Sequence, residues 1–305
     1  VLHPEIIRKE AKNLKIVYTP LNGTGNLPVR RVLSELGFEN IYVVKEQEAP
    51  DGNFPTVSYP NPEDKDAFAL ALQLAKEVDA DIVLATDPDA DRLGVYAKDT
   101  KTGEYIAFTG NMSGMLILEY QLAQRKAIGT LPKNGAVVTT IVSGKMAREI
   151  TKAYQVELIE TLTGFKYIGE QIKLFEKNGS HEFVFGYEES YGCLVGTHAR
   201  DKDAIVAVMA LGETAAYCKS RGMTLCDKMD ELFKDYGYFK EELCTITLKG
   251  QDGAKRIEAM MENIRWDVPK EIGGLPVMQF RDYQKDVKID MTDGKKSITG
   301  LPKSN

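Results

Sequence analysis

The sequence contains few cysteines and histidines, and its cysteines lack the spacing of a metal-binding motif. Only three histidines occur among 305 residues, and no C-x-x-C pair is found among Cys193, Cys218, Cys226 and Cys244. Structural zinc sites and disulfide frameworks are built from clusters of these residue types. The composition therefore argues against both, and we interpret the cysteines as reduced, packed thiols.

Long apolar runs and blocks of one charge are also missing. No stretch of 18 apolar residues occurs, and the first ten residues, VLHPEIIRKE, lack the apolar core of a secretion signal. The formal net charge is −6, with basic and acidic residues interspersed, which argues against a nucleic acid or an anionic membrane as a partner. We expect a cytoplasmic protein that acts on small, charged substrates.

Three carboxylates occur at alternate positions directly after an apolar run. Residues 82–95 read IVLATDPDADRLGV, a β-type run followed by Asp87, Asp89 and Asp91, and then by Arg92. Alternating carboxylates in an extended loop can converge on one hard cation, and without a cation their like charges disfavour joint ionisation. The planar, five-donor side chain of arginine suits a phosphate group. The pattern predicts a magnesium site at a strand end, built to neutralise a phosphoryl group.

Three other interpretations compete for this acidic segment. Asp-rich turns are common on surfaces because the Asp side chain hydrogen-bonds within the turn, although the preceding strand favours a site. An EF-hand loop that starts at Asp87 would need Gly in place of Arg92 and Glu in place of Lys98, so this alternative fails. An aspartyl-phosphate phosphatase, with Asp87 as nucleophile and Asp89 as acid, is the rival hypothesis.

Strand and helix patterns alternate along most of the chain, which is typical of α/β domains with parallel sheets. The first round predicts strands at 15–19, 41–44 and 82–85 and helices at 27–36 and 66–78. The second round predicts strands at 136–140, 156–161 and 182–186 and helices at 112–125, 145–154 and 167–177, with a long helix ending near 219. Each round ends in a polar loop after a strand, where open α/β sheets bind ligands.

The last part of the chain is less regular. A helix is predicted at 225–236, a strand at 242–248 and an amphipathic helix at 253–264, followed by short strands and turns. Because this part has few large apolar residues, we interpret it as a portion of a third unit.

The second polar loop reads YEESYG. Glu188, Glu189 and Ser190 form a polar set suited to sugar hydroxyls, which need paired donors and acceptors. Taken alone, an ordinary acidic turn explains these residues at least as well. Arg200 and Lys202 add positive charge that could hold a phosphate, with a solvated surface turn as the equal alternative.

The two loops together resemble those of the α-D-phosphohexomutases, the family of phosphoglucomutases and phosphomannomutases. The resemblance covers nearly the whole chain and is carried by YTPLNGTGN at 18–26, PDGNFPTV at 50–57 with PNPED at 60–64, TDPDADRLG at 86–94, LTGFKYIG at 162–169, GYEESYG at 186–192 and RDKDA at 200–204. These motifs, in register, are highly specific together. One departure is Asn22, where many relatives have histidine.

The resemblance implies a role for each loop. Asp87, Asp89 and Asp91 would bind the catalytic magnesium, and Arg92 would contact the centre of phosphoryl transfer. The substrate-binding residues that it implies are Thr163, Gly164, Glu188, Ser190, Arg200 and Lys202. Among these, the two residues of the second loop would bind sugar hydroxyls and the lysine would lie near the substrate phosphate. The EES form of the second loop is more like phosphoglucomutases than mannomutases, which favours glucose phosphates.

Two motifs of the family do not occur in the sequence. One is the T-A-S-H-N-P type motif that carries the phosphoserine, and the other is the R-P-S-G-T-E-P type phosphate loop of the fourth domain. Ser58 lies inside the PDGNFP…PNPED signature and lacks the neighbouring histidine, so we do not interpret it as the phosphoserine. The resemblance implies a fragment with two similar α/β/α sandwich domains, II at 1–108 and III at 109–240, and an incomplete α+β domain IV at 241–305.

The implied activity is that of a phosphoglucomutase-type enzyme, which interconverts glucose 1-phosphate and glucose 6-phosphate through a phosphoserine and glucose 1,6-bisphosphate, with Mg²⁺. Because the serine motif is missing, we expect no turnover by this chain alone. A phosphomannomutase or phosphopentomutase of the same family and a non-catalytic module that binds sugar phosphates are the alternatives. Dimerisation through apolar surface that the absent domains would cover is a further expectation.

Overall fold

The computed structural model describes residues 1–241 and 246–300. The chain divides into two compact units, Val1–Phe239 and Lys240–Asn305. The first unit contains two sheets, and both polar loops belong to it.

The first sheet has five strands: β1 (Lys15–Thr19), β2 (Asn40–Val43), β3 (Ile82–Thr86), β4 (Leu93–Lys98) and β5 (Tyr105–Phe108). Their spatial order is β2-β1-β3-β4-β5. β1 pairs in parallel with β2 and β3, whereas β4 and β5 extend the sheet in antiparallel pairs. The acidic segment is therefore the turn between two adjacent antiparallel strands.

The central strands of this sheet are buried on both faces. In β1, Ile16 and Tyr18 belong to one hydrophobic core and Val17 to another, and in β3 Leu84 and Val83 separate in the same way. The alternation follows from the two-residue period of a strand. Helices cover both faces, which completes three layers; they are α1 (Pro4–Glu10) and α2 (Asn26–Leu36) on the first core and α3 (Ala69–Val78) on the second.

The second sheet repeats this plan. Its strands are β6 (Gly135–Thr140), β7 (Glu157–Thr161), β8 (Glu182–Tyr187) and β9 (Cys193–Val195), and its helices are α4 (Gly110–Ala127), α5 (Met146–Tyr154), α6 (Phe165–Asn178), α7 (Ala204–Ser220) and α8 (Leu225–Tyr236). The spatial order is β7-β6-β8-β9, with β6 parallel to β7 and β8 and with β9 antiparallel to β8. The prediction of two successive α/β/α sandwich domains is confirmed.

Both sheets are mixed rather than purely parallel, which differs from the expected pattern. The central parallel strands occur where the sequence predicts them, but β4, β5 and β9 were not predicted. A hairpin needs only a short turn, whereas a parallel connection needs a crossover of a dozen or more residues. Apolar periodicity locates a strand without giving its direction, and this explains the difference.

Among its described residues, 240–241 and 246–300, the second unit contains α9 (Gly250–Trp266) and five short strands: β10 (Glu271–Ile272), β11 (Leu275–Pro276), β12 (Gln279–Asp282), β13 (Val287–Asp290) and β14 (Lys296–Ser297). The predicted strand at 242–248 falls partly outside the described residues, and its described part, 246–248, is neither helix nor strand. Arg265 of α9 lies 3.3 Å from the buried carboxylate of Asp282, which links helix and strand. Within 1–241 and 246–300, no helix combines the length and apolar character needed to cross a membrane.

Candidate functional site

The acidic loop, residues 87–92, is organised by its first carboxylate. Asp87 Oδ1 accepts hydrogen bonds from the backbone nitrogens of Asp91, at 3.0 Å, and Arg92, at 2.9 Å. Ala90 adopts a φ of +61°, which reverses the chain between these positions. The turn brings the three predicted ligands together, because one oxygen from each of Asp87, Asp89 and Asp91 lies within 4.8 Å of the others.

The electrostatics of this cluster fit a divalent cation. Burial and the neighbouring charges of Asp91 and Asp89 raise the pKa of Asp87 to about 7. Asp91 Oδ1 is buried and has no hydrogen-bond partner among the described residues. A cation held by these hard oxygen donors would relieve the mutual repulsion and satisfy the buried oxygen. The cluster can therefore bind a metal ion.

The EES loop, residues 187–192, is the turn between β8 and β9. The nitrogen of Glu188 donates to the carbonyl of Gly192 at 2.9 Å and closes the turn. The Glu188 side chain is buried and hydrogen-bonded to Ser190; burial raises its pKa, while the hydroxyl and the Lys202 charge oppose that change. Glu188 and Ser190, both predicted to bind substrate, therefore lie in contact with each other.

Glu189, the second glutamate of the EES loop, differs from Glu188 in its hydrogen-bond partners. Glu189 Oε2 accepts hydrogen bonds from Thr140 Oγ1 at 2.9 Å and from Ser143 Oγ at 3.2 Å. These hydroxyls come from the end of β6 and the turn that follows it. Glu189 therefore anchors the loop to the neighbouring strand.

The backbones of the two loops are joined directly. Arg92 and Gly192 form an antiparallel bridge, and the nitrogen of Leu93 donates to the carbonyl of Tyr191 at 3.0 Å. Each loop follows the third strand, in chain order, of its own sheet, so the two loops occupy equivalent positions in their sheets. The acidic and EES loops therefore form one continuous site.

Lys202 adds a side-chain link between the loops. Its Nζ lies 2.9 Å from Asp91 Oδ2 and 3.0 Å from Asp201 Oδ1. The same ammonium lies 5.7 Å from the ring centroid of Phe165, the residue that follows Gly164. The structure therefore places the Lys202 ammonium between the acidic loop and the start of α6.

The remaining predicted residues lie around this core. Gly164 caps α6 with a φ of +108°, and Thr163 is exposed just before it. Arg200 directs its guanidinium to the carbonyls of Thr197 and Ala199 and to the carboxylate of Glu176 in α6. Arg200 is thus held within its own part of the surface, whereas Lys202 reaches the acidic loop.

Glu63 was not among the site residues predicted from the sequence. Its Oε1 lies 3.1 Å from Arg92 Nη1 and pairs with the arginine of the acidic loop. The PNPED motif was recognised as part of the resemblance, so a signal was present. Its pairing with Arg92, 29 residues away along the chain, required the tertiary structure.

Comparisons with known proteins agree with this geometry. Residues 3–102 match the family model "Phosphoglucomutase/phosphomannomutase, alpha/beta/alpha domain II", and residues 109–236 match the corresponding model of domain III. The chain belongs to the phosphoglucomutase/phosphomannomutase family.

Named relatives are consistent with this membership. The chain is 37% identical over 293 residues to a phosphoglucomutase of Staphylococcus epidermidis (strain ATCC 12228 / FDA PCI 1200), an alignment that covers 96% of the chain and 52% of the relative. A phosphoglucomutase of Staphylococcus aureus (strain MRSA252) is 35% identical with the same coverage. The chain spans about half the length of the curated relatives it matches.

Solved structures of family members share the fold. The open form of the exocytosis-sensitive phosphoprotein pp63/parafusin, a phosphoglucomutase from Paramecium, matches with a TM-score of 0.62 at 18% identity, covering 97% of this chain and 49% of that one. A phosphoglucomutase/phosphomannomutase family protein from Burkholderia thailandensis matches with a TM-score of 0.56 at 21% identity, covering 76% and 45%.

Proposed function

We propose that this chain forms the metal-binding and sugar-binding part of a phosphoglucomutase that interconverts glucose 1-phosphate and glucose 6-phosphate. The observation that carries the proposal is the backbone bridge between Arg92 of the acidic loop and Gly192 of the EES loop, beside which Lys202 lies 2.9 Å from Asp91. Curated relatives named phosphoglucomutase support the choice of reaction. The proposed domain limits are 1–108 for domain II, 109–240 for domain III and 241–305 for the start of domain IV.

The acidic loop would hold the metal ion. Asp87, Asp89 and Asp91 supply three hard oxygen donors for Mg²⁺. When bound, magnesium would stabilise negative charge on the oxygens of the transferring phosphoryl group. The hydrogen bonds that Asp87 accepts from the backbone nitrogens of Asp91 and Arg92 hold the loop in this turn.

Two positively charged side chains, Arg92 and Lys202, would bind the phosphoryl group. The Arg92 guanidinium and the Lys202 ammonium both lie beside Asp91, at 3.7 Å from Oδ1 and 2.9 Å from Oδ2 respectively. Cations placed where charge develops stabilise the transition state of phosphoryl transfer. Arginine also offers two parallel donors to a phosphate.

The EES loop would bind the sugar. Glu188 and Ser190 offer a carboxylate and a hydroxyl to the sugar hydroxyls, and the Thr163–Gly164 turn would line the pocket. Glu189 is already bonded to two hydroxyls of its own domain, so its role would be to support the loop.

The phosphoryl donor would come from outside these 305 residues, because the family's phosphoserine motif does not occur among them. In this proposal the serine passes its phosphoryl group to the sugar, glucose 1,6-bisphosphate forms, and the other phosphoryl group returns to the serine. The chain alone would show no turnover.

The test is a coupled phosphoglucomutase assay of the complete gene product with Mg²⁺ and glucose 1,6-bisphosphate. We expect activity that collapses when Asp87, Asp89 and Asp91 are all changed to Asn. The matched control changes three exposed aspartates, Asp235, Asp252 and Asp267, to Asn and should retain activity. A wild-type protein inactive on glucose, mannose and ribose phosphates would favour the non-catalytic sugar-phosphate-binding module.

A further inference from the structure

We propose that Glu63 is a positioning residue that fixes the Arg92 guanidinium beside the acidic loop. The inference rests on the proposed function, in which Arg92 contacts the phosphoryl group. Glu63 belongs to the PNPED motif at 60–64, whose Pro60 and Asn61 line the cavity beside the acidic loop. Its Oε1 accepts a hydrogen bond from Arg92 Nη1 at 3.1 Å.

The fold holds Glu63 in place independently of its partner. Asn61 Oδ1 accepts a hydrogen bond from the nitrogen of Glu63 at 2.9 Å, and the Asn61 carbonyl accepts one from Asp64 at 2.9 Å. Pro62 packs so closely on β4 that a Cβ on Gly94 would lie within 3 Å of it. The turn is therefore anchored to the sheet, and its carboxylate approaches Arg92 from a fixed backbone.

Glu63 makes the closest described contact to the Arg92 side chain. Arg92 Nε lies 3.8 Å from Asp87 Oδ2 and 3.7 Å from Asp91 Oδ1, beyond hydrogen-bond distance, whereas the Glu63 contact is within it. A guanidinium is planar, so one short charge-assisted bond at Nη1 together with attraction at Nε sets the orientation of the whole group.

A bound metal ion would affect the Arg92–Glu63 contact differently from the contacts of Arg92 with Asp87 and Asp91. Asp87 and Asp91 belong to the predicted metal ligands, so a bound cation would draw on their oxygens and neutralise much of their attraction for Arg92. Glu63 lies outside that cluster. It would therefore remain as the anion that orients Arg92 when the acidic loop is loaded.

A matched control exists elsewhere in the same domain. Arg30 and Glu48 also form an arginine–glutamate pair, with side chains 43% and 36% exposed, compared with 32% and 31% for Arg92 and Glu63. Exposed pairs of this kind contribute little to stability. Glu48→Gln therefore removes an equivalent pair without touching the acidic loop.

The first measurement is the ¹H–¹⁵N spectrum of arginine side chains in the 305-residue chain, with the Arg92 signals assigned through Arg92→Lys. Restricted rotation of the Arg92 guanidinium is expected in the wild type and in Glu48→Gln. It should be lost in Glu63→Gln, both without and with Mg²⁺. Unchanged Arg92 signals in Glu63→Gln would overturn the proposal, and this readout does not depend on enzyme activity.

The second measurement is kinetic and uses the complete gene product. Glu63→Gln is expected to lower kcat about tenfold while changing the Mg²⁺ concentration at half-maximal activity less than about twofold. In an Arg92→Lys background the same change should have little further effect, because Glu63 acts through Arg92. An equal loss in both backgrounds would contradict the proposal. A wild type without mutase activity would refute the proposed function alone, since the spectrum still decides the role of Glu63.

Discussion

The acidic loop and the EES loop occupy the same place in two copies of one fold, and they differ in how their carboxylates are satisfied. Each is the turn between the third strand of its sheet and an antiparallel neighbour. In the acidic loop, charges crowd together, the pKa of Asp87 rises to about 7 and Asp91 Oδ1 has no described hydrogen-bond partner. In the EES loop, Glu189 is bonded to two hydroxyls and Glu188 to Ser190. Topology therefore sets where each loop lies, and side chains set whether its carboxylates crowd together, as in the acidic loop, or accept hydrogen bonds from hydroxyls of the same domain, as Glu189 does.

A glycine in a different segment supports each loop. A Cβ on Gly23 would lie within 3 Å of the backbone of Pro88 in the acidic loop, and a Cβ on Gly110 would lie within 3 Å of the Glu189 carbonyl in the EES loop. In both cases, backbone packs against backbone with no room for a methyl group. The two loops can thus be perturbed separately by equivalent substitutions.

The largest expected difference between the loops is in metal affinity. Changing Asp87, Asp89 and Asp91 to Asn should weaken Mg²⁺ binding more than about 100-fold, because residues that merely support ligands already contribute 10–100-fold. Glu188→Gln in the EES loop should leave the affinity nearly unchanged. Isothermal titration calorimetry with Mg²⁺ measures the affinity of each variant. Comparable losses of Mg²⁺ affinity in the two variants would show that metal binding is not confined to the acidic loop.

Substitution of the supporting glycines should lower stability in both domains. Gly23→Ala and Gly110→Ala are each expected to reduce the free energy of unfolding by about 1–3 kcal/mol through overpacking. Gly52→Ala is the control, since no atom lies within 4 Å of the added methyl group. Urea denaturation gives the values. Of the two destabilised variants, only Gly23→Ala should also weaken Mg²⁺ binding. An equal loss of Mg²⁺ affinity in Gly110→Ala would show that the two loops cannot be perturbed separately.

Loss of the Lys202 ammonium should have a smaller effect, and the affinities for Mg²⁺ and for glucose 6-phosphate should change in opposite directions. Lys202→Met removes the ammonium beside Asp91 Oδ2, so Mg²⁺ should bind up to about fivefold more tightly, since partly exposed ion pairs are worth about 1 kcal/mol or less. Glucose 6-phosphate should bind more weakly. Lys166→Met, at an exposed position on α6, is the control. Weaker Mg²⁺ binding by Lys202→Met would mean that the lysine supports the metal site instead of competing with it.

The smallest expected effect is on the pH dependence of stability. Burial raises the pKa of Glu188, so the folded protein retains this proton at pH values where the unfolded chain has lost it. The free energy of unfolding should therefore fall as pH rises from the ordinary glutamate pKa through the raised one. Glu188→Gln should reduce that slope in urea titrations between pH 4 and pH 7, a range that starts near the ordinary glutamate pKa of about 4.3. A wild-type slope that persists in the variant would locate the effect elsewhere.

Several features of the site could be predicted from local sequence because they depend on neighbours along the chain. The alternate spacing of Asp87, Asp89 and Asp91 in a turn after a strand is enough to predict that their oxygens converge, and the structure brings them within 4.8 Å. The central strands follow from runs of apolar residues. The strands β4, β5 and β9 were not predicted, and their antiparallel pairing depends on turn geometry as well as on apolar periodicity.

The sequence by itself determined the repeated α/β architecture, the acidic cluster and the family to which its motifs belong. Only the tertiary structure decided that Lys202 reaches Asp91, that Arg200 turns to Glu176, and that Glu63 pairs with Arg92. The physical reason is the range of the interactions. Periodicity and turn chemistry act over a few residues, whereas these ion pairs join segments whose proximity is created only when strands and helices pack into layers.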